Sequence, residues 1–294
     1  MSLVSFRGVK RAFGSVWALD GVDLEIEEGT AFGLVGRNGA GKTTLIRMIP
    51  ALLHATEGEV RVFGMDPWDK QEEVKIQMGY LSEGDSFPPQ VKVRDLVDLH
   101  AEVYPGWNTD MAGKLMDDFS LDPMKRMGKL STGQQRQVGL ICAICHNPRL
   151  LVLDEPAGSL DPVARREFLE VVIGLLLDSG STIVFSSHQF ADVERLADRV
   201  GILHEGKILA DRPLDAYRED SCRALVRGAD VDKNKLRGIQ GCVRVQERED
   251  GKSLTFTVNE TKARESIASS LGAEAEIEFQ STNLEDLFID WTGY

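Results

Sequence analysis

The sequence of 294 residues predicts an α/β protein with a large first domain, residues 1–214, and a small second domain, residues 215–294. From Leu3 to about Asp211, apolar strand-like runs alternate with helical runs, which favours a layered α/β architecture. After Pro213 the pattern changes, and shorter strands and helices predict a separate α+β unit. A glycine-rich loop also stands between a strand and a helix near the start of the first domain.

That loop, Gly36–Thr44, has the spacing of glycines, a lysine and hydroxyl residues that holds a nucleotide phosphate chain. Thr30–Val35 predicts the strand before it, and Leu45–Leu53 predicts the helix after it. The glycines allow successive amide N–H groups to converge on an anion at a helix N-terminus. We therefore expect a P-loop NTPase cassette with a mixed sheet core. The loop residues expected to bind the nucleotide are Gly36, Asn38, Gly39, Ala40, Gly41, Lys42, Thr43 and Thr44.

Three polar side chains of the loop have separate expected tasks. Lys42 should reach the outer phosphates, Thr43 should ligate Mg²⁺, and Thr44 should donate a hydrogen bond to an inner phosphate. The alternative is a chance glycine-rich turn, which the flanking strand and helix argue against.

The apolar run Arg149–Asp154 predicts a buried strand that ends in an acidic residue. With Glu155, which follows, Asp154 places two carboxylates at the end of this strand. Asp154 should hold Mg²⁺ directly or through water, and Glu155 should orient and polarise the water that attacks the γ-phosphate. His188 follows a second predicted strand, Ser181–Ser186. Because functional groups in open α/β sheets lie beyond the carboxyl ends of the strands, we expect all three side chains near the phosphate loop. The alternative for the carboxylates is a strand-terminal acidic pair without function.

A second anion site is predicted at Leu130–Arg136, just before the apolar run Val138–Cys145. Ser131 can offer a hydroxyl and Gly133 an amide N–H at a helix N-terminus. The alternative is ordinary helix capping, for which Ser-Thr-Gly is also a good start.

Taken in order, these motifs make residues 1 to about 214 resemble the nucleotide-binding subunit of an ATP-binding-cassette (ABC) transporter. The segments that carry the resemblance are Gly36–Thr44, Leu130–Gln134, Leu151–Pro156, Ser159–Asp161 and His188. The resemblance implies an ATPase that uses ATP and Mg²⁺ in a head-to-tail dimer with a second copy or a paralogous subunit. Each ATP would contact the phosphate loop of one subunit and Ser131 and Gly133 of the other, and the same motif adds Gln134 to the binding set.

The resemblance also implies roles for single residues. Phe13 matches the aromatic residue on which adenine stacks, with Val16 beside it, although Phe13 could instead belong to the core. His188 matches a histidine that hydrogen-bonds the γ-phosphate, so the catalytic set becomes Glu155, His188 and Lys42. Asp161 matches a loop that crosses the dimer interface, and its alternative role is to cap the helix that begins near Pro162.

Glu83 departs from the pattern, because the family usually has glutamine at this position. The carboxylate keeps an acceptor for Mg²⁺ or water but loses the amide donor. Glutamate at this position resembles the multidrug and antibiotic exporter branch. Thr132 and Ser159 also differ from the commoner residues, and both replacements are expected to be tolerated.

The small domain is expected to resemble a ferredoxin-like fold, with the order β-α-β-β-α-β and a terminal helix. Its predicted elements are strand Arg223–Arg227, helix Val231–Leu236, strands Cys242–Glu247 and Leu254–Val258 with a turn at Asp250-Gly251, helix Lys262–Leu271, strand Ala275–Gln280 and helix Leu284–Trp291. One face of the last helix is apolar and predicts either core packing or a dimer contact.

Composition limits the possible partners. A net charge of −13 and a pI near 4.9 argue against broad binding to nucleic acid, which depends on Lys and Arg. No signal peptide or membrane-spanning run is predicted, so we expect a cytoplasmic protein, peripheral on the cytoplasmic face of the cell membrane. Its permease would be another chain, docked against the helical insertion at about residues 90–130 and the Glu83–Val93 loop.

The end of the small domain, Thr282–Phe288, resembles the tail of exporter-type ATPases and favours export. Two alternatives remain open: the ATPase of an importer, and a soluble cassette ATPase that acts on ribosomes or DNA.

The segment Cys142-Ala-Ile-Cys145-His146 matches the attachment pattern of c-type haem. Its surroundings argue otherwise, because Val138–Cys145 is continuously apolar and Asn147-Pro148 follows it. We expect a buried helix, and we expect the four cysteines to be free thiols.

Overall fold

The computed structural model describes residues 2–84, 87–158, 160–227, 236–248, 251–256, 258, 260–271, 276–280 and 282–292. Ser159, Asp250, Ala275 and the predicted helix Val231–Leu236 up to residue 235 lie outside these ranges. The chain divides into two compact units, Met1–Asp211 and Arg212–Tyr294, a few residues before the boundary expected after residue 214. No helix among the described residues is both long and apolar enough to cross a membrane.

The first unit consists of alternating strands and helices. In chain order they are β1 (Ser2–Phe13), β2 (Val16–Glu27), β3 (Ala31–Val35), α1 (Lys42–Ile46), β4 (Glu57–Val62), α2 (Gln71–Lys75), β5 (Met78–Leu81), α3 (Val93–Val103), α4 (Thr109–Asp118), α5 (Thr132–Ile144), β6 (Leu150–Leu153), α6 (Pro162–Ser179), β7 (Thr182–Ser187), α7 (Phe190–Leu196), β8 (Arg199–His204) and β9 (Lys207–Pro213). A short 3-10 helix, Met127–Lys129, precedes α5.

A six-stranded sheet with the order β5-β6-β7-β3-β8-β9 forms the centre of this unit. β3 pairs in parallel with β7 and β8, and β6 pairs in parallel with β5 and β7. β3, β6 and β7 are buried along their whole length, which explains why their sequences are continuous apolar or β-branched runs. The carboxyl ends of β5, β6, β7 and β3 therefore lie next to one another at one edge of the sheet.

A second sheet, with the order β2-β1-β4, is antiparallel. Its inner side chains share a core with α1 and the six-stranded sheet, in which Phe6, Phe32, Leu45 and Val152 are almost completely buried. Each such side chain contributes about 1.5–3 kcal/mol of transfer free energy, so this core fixes α1 against the sheet.

The helix predicted over Leu45–Leu53 is wrong beyond Ile46, where α1 ends. The N–H groups of Met48 and Ile49 bond to carbonyls three residues back, as in a 3-10 helix. Pro50 has no N–H and disfavours helical backbone at the residue before it, which accounts for the early end.

The helical insertion predicted at about residues 90–130 contains α3 and α4. Val93, Leu96 and Val97 on α3 and Leu115 on α4 are buried, as their helical spacing predicts. Both helices pack against α5, which also packs against β5. The insertion is thereby joined to the strand that leads to Glu83.

The second unit contains α8 (Leu214–Glu219), β10 (Cys222–Arg227), β11 (Cys242–Arg248), β12 (Gly251–Phe256), α9 (Glu260–Leu271), β13 (Glu276–Gln280) and α10 (Leu284–Thr292). Its sheet has the order β11-β12-β10-β13, and every pair is antiparallel. This is the strand order of the ferredoxin-like fold that the sequence predicts. Leu284, Leu287 and Phe288 on the apolar face of α10 are buried, so the prediction that this face packs in the core is confirmed.

Candidate functional site

The phosphate loop joins β3 to α1 at the edge where the parallel strands end. Gly41, at the start of α1, has a φ of 108°, a backbone conformation that favours glycine. At Gly36, a Cβ atom would lie 2.3 Å from the carbonyl oxygen of Leu203 on β8. Only glycine fits this close approach of two backbones, and it holds the loop against the sheet.

Lys42 is almost fully buried and points back into its own loop. Its Nζ donates to the carbonyl oxygen of Gly36 at 2.7 Å and to that of Arg37 at 3.3 Å. The same Nζ lies 3.3 Å from Oε1 of Glu155 and forms an ion pair with it. Lys42 of the loop is therefore paired with Glu155, the second residue after β6.

Asp154 is fully buried at the end of β6. Its Oδ1 accepts hydrogen bonds from the hydroxyls of Thr43, at 3.1 Å, and Ser186, at 2.8 Å. Its Oδ2 is also buried, and no described residue gives it a hydrogen bond. Because an unpaired buried carboxylate oxygen is costly, Oδ2 is suited to a donor or cation that enters the site.

Glu155 has a φ of 46°, in the left-handed region that residues other than glycine seldom adopt. Its backbone N–H donates to the Ser186 hydroxyl at 2.9 Å. Its Oε2 lies 2.7 Å from Nδ1 of His188 and accepts a hydrogen bond from the His188 backbone N–H at 3.2 Å. Glu155 is thus held between Lys42 on one side and His188 on the other.

Lys42, Glu155 and His188 line a cavity of about 320 Å³, whereas Asp154 lies outside its described lining. Its lining consists of Ala18, Arg37, Asn38, Gly39, Gly41, Lys42, Thr43, Thr44, Glu83, Glu155 and His188. The structure therefore brings most of the predicted loop residues together with Glu83, Glu155 and His188. Gly36 and Ala40 lie in the loop but not in the lining, and Ala40 is buried behind it.

The sequence analysis missed three contributors to this site. Ala18 and Arg37 line the cavity, and Ser186 bonds to both Asp154 and Glu155. Two of them left a sequence signal, since Arg37 lies within the phosphate loop and the pair Ser186-Ser187 is a polar end to a buried strand. Nothing in the local sequence of Ala18 distinguishes it from other strand residues.

Phe13 and Val16 lie outside the cavity lining, paired with each other at the tip of the β1–β2 hairpin. Phe13 is 50% exposed and Val16 is 65% exposed. The guanidinium of Arg11 lies 4.7 Å from the centre of the Phe13 ring. The alternative that placed Phe13 in the core is therefore wrong, and the ring is accessible for stacking.

Ser131, Gly133 and Gln134 are also absent from the described cavity lining. The Ser131 hydroxyl accepts a hydrogen bond from the Gln134 N–H, and Oε1 of Gln134 accepts one from the Ser131 N–H, so α5 begins with a capping box. Further along α5, Arg136 donates to the carbonyl oxygen of Ser82 at 2.5 Å. This contact joins the helix to the residue before Glu83.

Asp161 caps α6, as its alternative role predicted, because its Oδ1 accepts hydrogen bonds from the N–H groups of Val163 and Ala164. Like Ser131, it stands outside the lining of the cavity.

Cys142 lies in the buried last turn of α5, which ends at Ile144, and Cys145 and His146 just after it are also buried, so the buried-helix interpretation is confirmed. Burial raises the pKa of the Cys145 thiol to about 12, and it also raises the pKa of Cys142. Nε2 of His146 lies 3.2 Å from the carbonyl oxygen of Met78, and burial lowers the pKa of the ring. All four cysteines are free thiols in the structure.

Comparison with known sequences places these motifs in a wider group. The sequence pattern of the ABC transporter family matches residues 19–158. The uncharacterized ABC transporter ATP-binding protein YhaQ of Bacillus subtilis (strain 168) is 34% identical over 293 residues, which cover 97% of each chain. The bacitracin transport ATP-binding protein BcrA of Bacillus licheniformis is 31% identical over 220 residues, 74% of this chain and 72% of BcrA. The linearmycin resistance ATP-binding protein LnrL of B. subtilis (strain 168) is 27% identical over 312 residues, 99% of this chain and 98% of LnrL.

Solved structures agree with the sequence comparison. The ATP-binding subunit of an ABC transporter superposes with a TM-score of 0.67 at 27% identity, covering 74% of this chain and 92% of the other. A dimeric bacterial ABC transporter cassette superposes with a TM-score of 0.64 at 23% identity, covering 72% of this chain and 98% of the other. Because the sequence identity to this cassette is only 23%, the similarity supports the fold alone.

Proposed function

The chain belongs to the family of ABC transporter ATP-binding proteins and is a nucleotide-binding ATPase of that family, and from this premise we propose that it powers export through a separate membrane permease. The observation that carries the proposal is the convergence of Lys42, Thr43, Asp154, Glu155 and His188 on one edge of the sheet. Lys42 and Thr43 begin α1 after β3, and the other three residues follow β6 and β7, so a triphosphate in the cavity would meet a cation, a hydroxyl, two carboxylates and an imidazole together.

Lys42 is proposed to bind the outer phosphates of ATP. In the structure its Nζ is satisfied by two loop carbonyls and by Glu155. A γ-phosphate offers more negative charge than one carboxylate, so ATP can take Lys42 away from Glu155. The loop N–H groups at the start of α1 add donors for the same anion, with Thr44 proposed for an inner phosphate.

The residues beside the loop fit Mg²⁺. Thr43 provides a hydroxyl oxygen, and Asp154 provides Oδ2, the buried oxygen that lacks a hydrogen bond among the described residues. Magnesium is usually held by one or two carboxylates together with substrate phosphates and water, and Glu83 in the cavity lining can accept from such a water. When bound, Mg²⁺ would neutralise charge on the β- and γ-phosphates.

Glu155 is proposed to hold and polarise the water that attacks the γ-phosphate. Release from Lys42 would free its Oε1, while the two contacts from His188 keep Oε2 in place. His188 is 44% exposed at its side chain and lines the cavity, so its ring can also reach the γ-phosphate.

A second subunit is proposed to complete the site. Ser131, Gly133, Gln134 and Asp161 stand outside the cavity of their own chain, at helix starts whose N–H groups favour anions. Head-to-tail pairing would bring the start of α5 from one chain to the phosphate loop of the other. Phe13 and Val16, both exposed, would contact the adenine of the ATP bound by their own chain.

The permease is proposed to dock on a groove of about 230 Å³ in the first unit, between β5 and the helical insertion. Phe87, His100, Tyr104 and Cys142 contribute to its lining. Beside it, α3 presents Leu99 and Val103 with 54% and 62% exposure. An exposed apolar rim of this kind is typical of an interaction surface, and it would keep the chain peripheral on the cytoplasmic face of the cell membrane.

Export is supported by the relatives named for bacitracin transport and linearmycin resistance, and by Glu83 and the tail of the second unit. Importer subunits have similar cores, and cassette ATPases that act on ribosomes or DNA are the other alternative. The net charge of −13 weighs against the latter.

The test is co-expression with a candidate permease that has about six apolar segments of ~20 residues. We expect the chain in the membrane fraction only when that permease is present, and we expect the cells to survive a higher concentration of at least one drug in a panel that includes bacitracin. Cells carrying Lys42→Ala serve as the control. Equal drug sensitivity would contradict export, and co-purification with ribosomes or DNA at physiological salt would contradict the transport role.

A further inference from the structure

Ser186 is a fully buried residue at the edge of the site, near the end of β7. β6 and β7 pair in parallel up to Leu153 and Phe185. The next residues of the two strands, Asp154 and Ser186, therefore lie side by side at the carboxyl edge of the sheet. No solvent competes for the Ser186 hydroxyl in this position.

The hydroxyl makes two hydrogen bonds that join the acidic residues. It donates to Oδ1 of Asp154 at 2.8 Å and accepts from the backbone N–H of Glu155 at 2.9 Å. A serine hydroxyl has one donor and two acceptor positions, so its single donor is committed to Asp154. An alanine here would leave the Glu155 N–H without this acceptor and Asp154 with only the Thr43 hydroxyl on Oδ1.

We propose that Ser186 is a positioning residue for ATP hydrolysis, whose hydroxyl fixes the Asp154 carboxylate and the Glu155 backbone relative to each other. The inference rests on the proposed function, in which Asp154 faces Mg²⁺ and Glu155 faces the attacking water. Two hydroxyl donors on Oδ1 leave Oδ2 as the oxygen available to the cation. The bond to the Glu155 N–H supports a backbone held at a φ of 46°.

Loss of this link should reduce the rate more than the affinity for ATP. The hydrogen bonds of the Ser186 hydroxyl go to Asp154 and Glu155 and not to the two loop carbonyls that hold Lys42, so phosphate binding should persist. A displacement of about 1 Å at a reacting group can lower a rate by roughly 100-fold. For Ser186→Ala we expect kcat to fall about 10- to 100-fold, with the KM for ATP within about threefold of the unaltered chain.

The experiment compares Ser186→Ala with Ser186→Thr, which keeps the hydroxyl, and with the matched control Ser181→Ala. Ser181 is also buried, and its hydroxyl donates to the carbonyl oxygen of Pro148 at 2.7 Å, at the opposite end of the same strand. We expect Thr to restore at least a third of the original kcat and the Ser181 variant to lie within about twofold of it. Thermal unfolding and nucleotide-binding stoichiometry show whether each variant is folded.

A second readout concerns Mg²⁺ and does not depend on turnover. Binding of a fluorescent ATP analogue is measured in EDTA and then with added Mg²⁺. For Ser186→Ala we expect unchanged binding in EDTA and a three- to tenfold higher Mg²⁺ concentration for the half-maximal gain, because Asp154 is less well oriented. A substitution that acts only through stability would leave this Mg²⁺ midpoint unchanged.

The inference is overturned if folded Ser186→Ala keeps kcat within twofold, or if Ser186→Thr is no better than Ser186→Ala. Glu155→Gln is measured in parallel to separate this result from the proposed function. Full turnover by Glu155→Gln would contradict the proposed role of Glu155 in holding the water. If Glu155→Gln loses turnover but Ser186→Ala keeps normal turnover, only the role of Ser186 is overturned. If Ser186→Ala does not fold, Ser186→Cys takes its place, since a thiol is similar in size but a weak donor and acceptor.

Discussion

Glu155→Gln should produce opposite effects on nucleotide binding and turnover. In the structure, Oε1 of Glu155 lies 3.3 Å from Nζ of Lys42, and both side chains are at most 7% exposed. ATP must replace this ion pair and bring its γ-phosphate toward the Glu155 carboxylate. Glutamine removes the competing charge and its repulsion of the phosphate, while the two loop carbonyls still hold Lys42.

The size of the binding effect follows from the distance. Coulomb's law gives about 5 kcal/mol for unit charges 3.3 Å apart at an effective dielectric constant of ~20, and about 1.3 kcal/mol in bulk water. Both side chains are almost fully buried, so the bulk-water value is a minimum, and we expect the binding of nucleotide to be at least roughly tenfold tighter. Turnover should fall by about 10²–10⁴-fold, the usual contribution of a positioned proton acceptor.

The assay combines calorimetric binding of a non-hydrolysable ATP analogue with single-turnover hydrolysis of labelled ATP. Glu170→Gln is the matched control, because Glu170 is exposed on α6 and its nearest cation is Arg195, outside the cavity. Turnover within threefold of the unaltered chain would refute the role of Glu155. Unchanged or weaker binding of the analogue would refute the competition between Glu155 and the phosphate for Lys42.

Three further predictions concern binding, dimerisation and stability. Lys42→Ala should lose most of the affinity for ATP, because the loop keeps its N–H groups but loses its buried cation; unchanged calorimetric affinity would contradict this. Ser131→Arg should bind ATP as a single chain but fail to form an ATP-induced dimer, and an unaltered dimer in sedimentation would exclude the shared site. Asp290→Ala should destabilise the second unit by about 3–5 kcal/mol in urea unfolding, because Asp290 is buried and Arg223, 2.6 Å away, would lose its counter-charge. A loss below about 1 kcal/mol would show that the pair is not effectively buried.

The fold was predictable from sequence wherever the burial pattern is regular. β3, β6 and β7 are buried on both faces, so their continuous apolar or β-branched runs identified them. The failure at Leu45–Leu53 has a local cause, since Pro50 removes a donor from an otherwise helical pattern.

Where the sequence left two roles open for a residue, the structure was needed to choose between them. Phe13 could be assigned to the core or to a stacking surface until its 50% exposure was known. Asp161 could cap a helix or cross an interface, and the two hydrogen bonds it accepts show that it caps α6. The sequence gives the identity of each side chain, whereas its solvent exposure and its hydrogen bonds depend on the residues that pack around it in the folded chain.

The sequence by itself determined that a nucleotide binds here, because the conformation of Gly36–Thr44 and the donors of its backbone are set by residues next to one another in the chain. Only the tertiary structure decided how the side chains of the site are held. Lys42 begins α1, whereas Asp154 and Ser186 lie at the ends of β6 and β7, far away in the sequence. The order of the parallel strands brings these three residues within hydrogen-bonding or ion-pairing distance of Thr43 and Glu155. Contacts of that kind depend on sheet order and burial, which no local pattern of residues encodes.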